Sequence, residues 1–394
     1  MLEDHIHLTV WDISGREGGG PLLIHDLPDF KTILPQDMTV RPLESILVGT
    51  GVAILCFSGK LIAYDLQAAP EGRQPGIVEL WRAVTHTGPT PRSREVPRLF
   101  GGSIYISYPL KNRIEVREVR TYECKYKVVL EHSRDHTGEV CADGDNLAVP
   151  GMHIQDNCPV ISFCELSTGK QVLLLPSIPM SFPWSFGKTV VSEGHVYGMA
   201  RNTDSYRQIL FIWRADTGDS GDCVRTIELK SAEVLSDSSS FTFAVSGGLL
   251  ATLQQEEGWK VAVRDRSGGL LQVLDASVGD GAETYAAKVI DVFMNDGCIL
   301  VLTENVPDFS SIKLAVFPIT NRSPLTLEDN PKYTLNLPGC LDNRDMYRRL
   351  GHVWVTRTKV VGMSWSKITL YDFGRPRVKV SASSSTSQRA CSIL

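Results

Sequence analysis

The chain has 394 residues, a formal net charge of -5 from 40 Lys and Arg against 45 Asp and Glu, 42% hydrophobic residues and 22% charged ones. That balance excludes a disordered chain, and it supplies no basic surface to neutralise phosphates, so nucleic acid is not an expected partner. No run approaches the ~18 apolar residues of a membrane helix, and Met1 to Gly20 carries Asp, Glu and His where a signal peptide has a basic end and an apolar run, so a cytoplasmic protein is expected.

Taken in order, the predicted elements are short and repetitive. A segment of alternating apolar residues, usually closing on an aromatic and an acid, begins at Leu8 (Leu8-Thr9-Val10-Trp11-Asp12-Ile13) and returns at Leu61, Ile114, Ile161, Leu210, Val261, Leu314 and Ile368. The intervals are 53, 53, 47, 49, 51, 53 and 54 residues, a period near fifty that marks a repeat architecture. Before most copies stands a second β-rich run bounded by glycine: Gly51 to Phe57, Gly102 to Tyr108, Gly194 to Ala200, Gly248 to Leu253 and Gly297 to Thr303. Period-2 alternation over five to seven residues, broken by Gly, Asn, Asp and Ser, is strand and hairpin chemistry. No segment has an apolar stripe at helical spacing with caps. The prediction is an all-β chain with about four strands per repeat, the sequence form of a β-propeller.

Three of these copies carry a family resemblance. Leu8 to Ile13, followed by Gly15 and Pro21-Leu22-Leu23, resembles the end of a WD-type repeat, as do Tyr64-Asp65 and Trp213 with Asp216-Thr217-Gly218. The similarity is degenerate but spans nearly the whole chain, and it implies a WD-repeat-like β-propeller that binds other proteins. Most copies lack the Gly-His and Trp-Asp pairs, so the polar network of regular WD repeats is not expected to recur. Propellers of this type are often attached to an F-box; Leu27-Pro28-Asp29-Phe30 begins in that manner, but Pro35 and Pro42 follow in a stretch too short for three helices.

Every copy from Leu61 onward has two strands ahead of it, giving seven four-stranded blades within residues 1–380. Pro21 to Leu27 is then the strand that closes the blade built from Val353 to Phe373, because pairing two open edges is what a ring requires. Leu8 to Ile13 is surplus on this count. The alternative is eight blades, the first lacking its inner strands. Residues 381–394 are a Ser-rich tail too polar to pack.

Candidate chemistry is sparse. The nine cysteines are odd in number and form no C-x-x-C pair, and the nine histidines are scattered, so neither a disulfide framework nor a metal site is expected. The turns between second and third strands carry an aromatic in five repeats, at Tyr108, Tyr206, Trp259, Phe309 and Trp365, which equivalent blades would gather on one face as a partner-binding surface or place over the joints between blades. The loop from Thr85 to Pro97 is the longest polar connection. Cys391-Ser392-Ile393-Leu394 fits the C-a-a-X lipidation pattern after a tail with Arg375, Arg377, Lys379 and Arg389. Gly15 to Gly20 opens a strand rather than a helix and holds no phosphate, and Asp216, Asp219 and Asp222 lack the remaining ligands of a calcium loop. The innermost stretches, such as Ser45 to Val48 and Thr189 to Val191, are mostly apolar; Glu193 with His195 and Asp291 are isolated, with strand-turn roles. The sequence therefore reads as a non-catalytic, monomeric scaffold or adaptor for protein partners, with no cofactor. A prenylated membrane-associated scaffold through Cys391 is the first alternative and a hydrolase-like propeller enzyme the second.

Overall fold

A computed structural model of the chain describes residues 7–11, 21–26, 45–49, 51–57, 60–65, 78–84, 96–108, 111–131, 133–134, 140–180, 183–202, 204–205, 207–215, 221, 223–229, 243–256, 258–275, 287–294, 298–305, 312–322, 325–327, 333–337, 353–355, 359–363 and 368–372. Among them every regular element is a β-strand, and no helix is long and apolar enough to cross a membrane.

The strands follow one another into antiparallel sheets in chain order. β1 (His7–Trp11) and β2 (Pro21–Asp26) form a pair. The first four-stranded sheet is β3 (Ser45–Gly49), β4 (Val52–Phe57), β5 (Lys60–Asp65) and β6 (Val78–Val84). The second is β7 (Val96–Phe100), β8 (Ser103–Tyr108), β9 (Arg113–Glu118) and β10 (Cys124–Val129). In the third, β11 (Ser133–Arg134) and β12 (Cys141–Asp143) share the edge of β13 (Asn146–His153), which continues to β14 (Pro159–Glu165) and β15 (Gln171–Leu174). The fourth is β16 (Trp184–Ser192), β17 (His195–Asn202), β18 (Gln208–Arg214) and β19 (Cys223–Leu229), and the fifth is β20 (Phe243–Ser246), β21 (Leu249–Glu256), β22 (Gly258–Asp265) and β23 (Leu270–Asp275). The sixth joins β24 (Ala287–Met294), β25 (Cys298–Asn305) and β26 (Ile312–Arg322), and β26 in turn pairs with β27 (Leu325–Leu327) and β28 (Tyr333–Leu337). The last has three strands, β29 (Val353–Val355), β30 (Lys359–Met363) and β31 (Ile368–Asp372).

All eight copies of the repeat fall on strands: β1, β5, β9, β14, β18, β22, β26 and β31. The equivalence extends to a defect in the ladder. In five copies the register shifts between the third and fourth residues of the motif, at Val10/Trp11, Ala63/Tyr64, Val116/Arg117, Ile212/Trp213 and Val263/Arg264. In the four full sheets the shift leaves one extra residue on the fourth strand: Leu80, Lys125, Val224 and Leu271. A bulge at one fixed place bends and twists the outer strand away from the ladder it leaves.

Close Cα approaches divide the chain into two compact units, Met1–Leu173 and Leu174–Leu394. In the first, Val52, Ile54, Leu61 and Ala63 of the first sheet pack on Ile104 and Ile106 of the second. Tyr105, Ile114 and Val116 on the other face of the second sheet pack on Leu147, Val149 and Cys164 of the third. In the second unit, Tyr197, Leu210 and Ile212 meet Phe243 and Leu250, and Ala251, Val261 and Val263 meet Ile299, Val301 and Phe317. The second and fifth sheets are thus covered on both faces. Their inner strands are buried almost continuously, as in β8, instead of alternating in and out. The fourth strands are mostly exposed, as in β10 and β23, and mark the outer rim.

Candidate functional site

Contacts between neighbouring sheets fix which turns share an end. Asp65, at the turn after β5, takes a 2.8 Å ion pair from Arg120, at the turn after β9. Tyr105, near the start of β8, has its phenol pushed up to about 12, first by burial and next by Asp145 in the turn between β12 and β13. The turns between first and second and between third and fourth strands therefore share one end of the first unit's sheets. The turns between second and third strands lie at the other.

Two described turns in the first unit stand at that other end. Tyr108 closes β8 and is half-buried, packed against the joint between the first and second sheets. The Arg113 guanidinium lies 4.8 Å over its ring, and its hydroxyl donates to Glu115 at 3.4 Å. Glu115 is 4% exposed and accepts from Arg117 at 2.5 Å and pairs with Arg113 at 3.0 Å. Burial pushes the Glu115 carboxyl up, but the Arg117 and Arg113 charges outweigh it and hold the group below its ordinary value. Trp81 donates its indole N–H to Val119 O at 2.9 Å and lies 4.4 Å from the Tyr122 ring, so the joint is aromatic and ionic rather than purely aliphatic.

The second turn joins β13 to β14. His153 N–H donates to Cys158 O at 2.8 Å and Asn157 N–H to His153 O at 3.1 Å, with Asn157 in the left-handed region at φ 55°. Asn tolerates that conformation better than most residues. Asp156 folds back over the turn, its Oδ1 accepting from Cys158 N–H at 3.3 Å and lying 2.7 Å from His153 Nδ1. One ligand atom each of His153, Asp156 and Cys158 lies within 4.8 Å of the others. Hydrogen bonds from Cys158 and His153 hold the exposed Asp156 carboxyl down at about 2. Burial first, and then Asp156, push the Cys158 thiol up to about 11, so it stays protonated near neutrality and is no thiolate nucleophile. The group holds neither paired cysteines nor adjacent histidines, the usual sequence marks of a metal site. The legible signal was His153-x-x-Asp156-x-Cys158-Pro159 across a hairpin turn, where pairing sets the first and last residues side by side.

Of the other predicted site residues, Trp259 stands on β22 opposite Gln255, beside the second-to-third-strand turn of the fifth sheet. Tyr206, Phe309, Trp365 and Cys391 lie outside the described residues, as do Asp216, Asp219 and Asp222. Glu193 and His195 occupy the turn between β16 and β17, Glu193 at φ 48° and His195 Nδ1 3.2 Å from Glu193 O. With Arg214, Asp265, Arg266 and Ser267 they line an open cleft of about 510 Å³ in the second unit. Its charges are mixed in sign. Asp265 is engaged with its own turn, accepting from Ser267 N–H and Gly269 N–H at 2.9 Å each and from Ser267 Oγ at 2.7 Å. The acid at the end of the motif therefore serves as a turn cap, with its partners drawn from nearby or from the next sheet. None of the seven described cysteines is in a disulfide; Cys56, Cys164 and Cys298 are buried, Cys124 is exposed and Cys141, Cys158 and Cys223 are intermediate.

No family model matches the chain, and no curated protein does. Among solved structures it is similar to Sqt1 of Chaetomium thermophilum, crystallised bound to the N-terminus of the ribosomal protein L10, with TM-score 0.52 and 11% identity over 89% of this chain and 84% of that one. It is also similar to Hsv2 of Kluyveromyces lactis (TM-score 0.48, 12% identity, 82% and 89% covered) and to BamB of Moraxella catarrhalis (0.47, 13%, 84% and 83%). Successive antiparallel sheets and the likeness to Sqt1 define the class by its fold, a β-propeller.

Proposed function

We propose that the protein is a non-catalytic scaffold that binds a protein partner through the turns between second and third strands, on a single propeller domain of seven blades. The observation that carries this reading is the division of labour within each sheet. Second and third strands are committed to packing on both faces, while the turns between them present unlike chemistry, Tyr108 with Arg113 in one and His153, Asp156 and Cys158 in the next. The likeness to Sqt1, recorded with a peptide of another protein, supports a binding role by analogy of fold alone.

The seven-blade reading uses β2 as the fourth strand of the three-stranded sheet β29 to β31. In the structure β2 pairs with β1, with Leu8 opposite His25 and Val10 opposite Leu23, so the surplus strand would cover the far edge of the closing one.

Affinity purification with the native chain and with Trp259→Ala plus Trp365→Ala tests the binding face. Loss of specific partners from a variant with unchanged circular dichroism supports it; recovery of the same set by both baits overturns it.

A further inference from the structure

The strongest unassigned feature is the β13–β14 turn. His153 and Cys158 flank a four-residue loop and face each other at the end of the ladder that pairs Met152 with Pro159. Residues opposed across an antiparallel ladder project to the same side, with Cβ atoms ~5 Å apart. Their proximity therefore follows from backbone pairing and not from a choice of rotamer. Pro159 keeps Cys158 extended, and Asn157 turns the chain so that Asp156 reaches back over the pair. An imidazole, a carboxylate and a thiol thus converge from one rigid turn, with ligand atoms within 4.8 Å of one another.

We propose that His153 Nδ1, an Asp156 carboxylate oxygen and Cys158 Sγ bind a divalent transition-metal ion of the zinc class. The donor set decides the class. Oxygen-seeking Ca²⁺ and Mg²⁺ take six or more oxygens, whereas mixed nitrogen, sulfur and oxygen donors suit four-coordinate Zn²⁺ or Co²⁺. Metal–ligand distances of about 2.0–2.3 Å place tetrahedral donors about 3.5 Å apart. The His153–Asp156 contact of 2.7 Å must open slightly, which the Asp156 side chain, 62% exposed, does by yielding its 3.3 Å bond from Cys158 N–H to water. On binding, the Cys158 S–H bond breaks, its proton passes to solvent and the sulfur lone pair goes to the ion. His153 binds through Nδ1 as the neutral tautomer protonated at Nε2. Three protein ligands leave a fourth position for water or for a side chain of a partner. The site stands whether or not the proposed scaffold role does.

Full-length chain, stripped with chelator under reducing conditions, is titrated with Co²⁺. The expected result is one equivalent bound, with a thiolate-to-cobalt charge-transfer band and intense visible bands of four-coordinate geometry, both bleached by Zn²⁺. Cys158→Ala abolishes the charge-transfer band, Asp156→Asn weakens affinity at least tenfold, and Cys124→Ala, on the exposed β10, leaves both unchanged. A missing charge-transfer band, or one that survives Cys158→Ala, overturns the site. Circular dichroism checks each variant's fold; should Cys158→Ala not fold, unchanged Co²⁺ affinity in Asp156→Asn overturns it instead.

Discussion

Trp213 shows how much of the design rests on single side chains. It is fully buried, stacks on Phe211 with centroids 5.6 Å apart, and donates its indole N–H to Leu175 O at 3.0 Å. Trp213→Phe keeps the aromatic packing and loses the hydrogen bond, so about 1 kcal/mol of stability should go in urea unfolding; Trp213→Ala should cost about 4 kcal/mol. Two turn glycines give a sharper contrast. Gly268, at φ +85°, has no room for a Cβ, which would fall 2.7 Å from Arg225 Cδ and 3.0 Å from Ile212 Cδ1, whereas Gly194 at φ +73° has open space around it. Gly194→Ala should cost about 1 kcal/mol from backbone strain alone, and Gly268→Ala about 3 kcal/mol because overpacking adds to it. Equal melting temperatures for the two variants would contradict the packing described. Glu115 supplies the pH dependence. Folding favours its ionised form, so the stabilisation is complete above the unfolded carboxylate value of about 4.3 and drains away as pH falls through the lower folded value. Denaturation measured between pH 6 and 3 should show an acid limb that Glu115→Gln flattens, at a loss of about 2 kcal/mol near neutrality.

At the scale of the strand, the recurrent bulge separates two jobs. Inward of it, the second and third strands need apolar residues on both faces. Outward of it, the fourth strand meets solvent and tolerates Lys125 and Lys127 in β10 or Gln272 in β23. Val224 is an extra residue on such a strand and is exposed. Val224→Ala should be nearly neutral, within about 0.5 kcal/mol. Deleting Val224 should cost more in the same unfolding experiment, because Arg225 and Cys223 then stay opposite Ile212 and Trp213 in an unbroken ladder and the outer strand loses the bend that the extra residue gives it. The repeat was legible in the sequence because this third strand is the most constrained of the four: packed on both faces, ending in a bulge, and followed by an acid that caps the turn. The bulge itself was not legible, since the extra residue is a Leu, Lys or Val with no turn chemistry to mark it. The expected alternation of apolar and polar residues also holds less well than continuous burial in the inner strands, because a sheet sandwiched between two others has no wet face.

For the molecule as a whole, the two blade counts differ in what lies beside the sheet of β29, β30 and β31. If β2 fills that edge, removing residues 1–20 should leave thermal unfolding nearly unchanged, while removing residues 1–27 should lower the midpoint by more than about 10 °C and broaden the transition. An eighth blade built on the β1–β2 pair predicts that both truncations do similar damage, so a calorimetric scan of the two separates the counts. The all-β class and the eight recurring strands could be read from the sequence alone, because period, glycine placement and side-chain volume are local properties that each repeat restates. Which residues from distant repeats meet could not. Asp65 with Arg120, Trp81 with Val119 and Ile54 with Ile104 depend on the stacking of one sheet upon the next. Those are decided only when each sheet finds neighbours to cover its faces, since burial of both faces is a property of the assembled chain and of no segment within it.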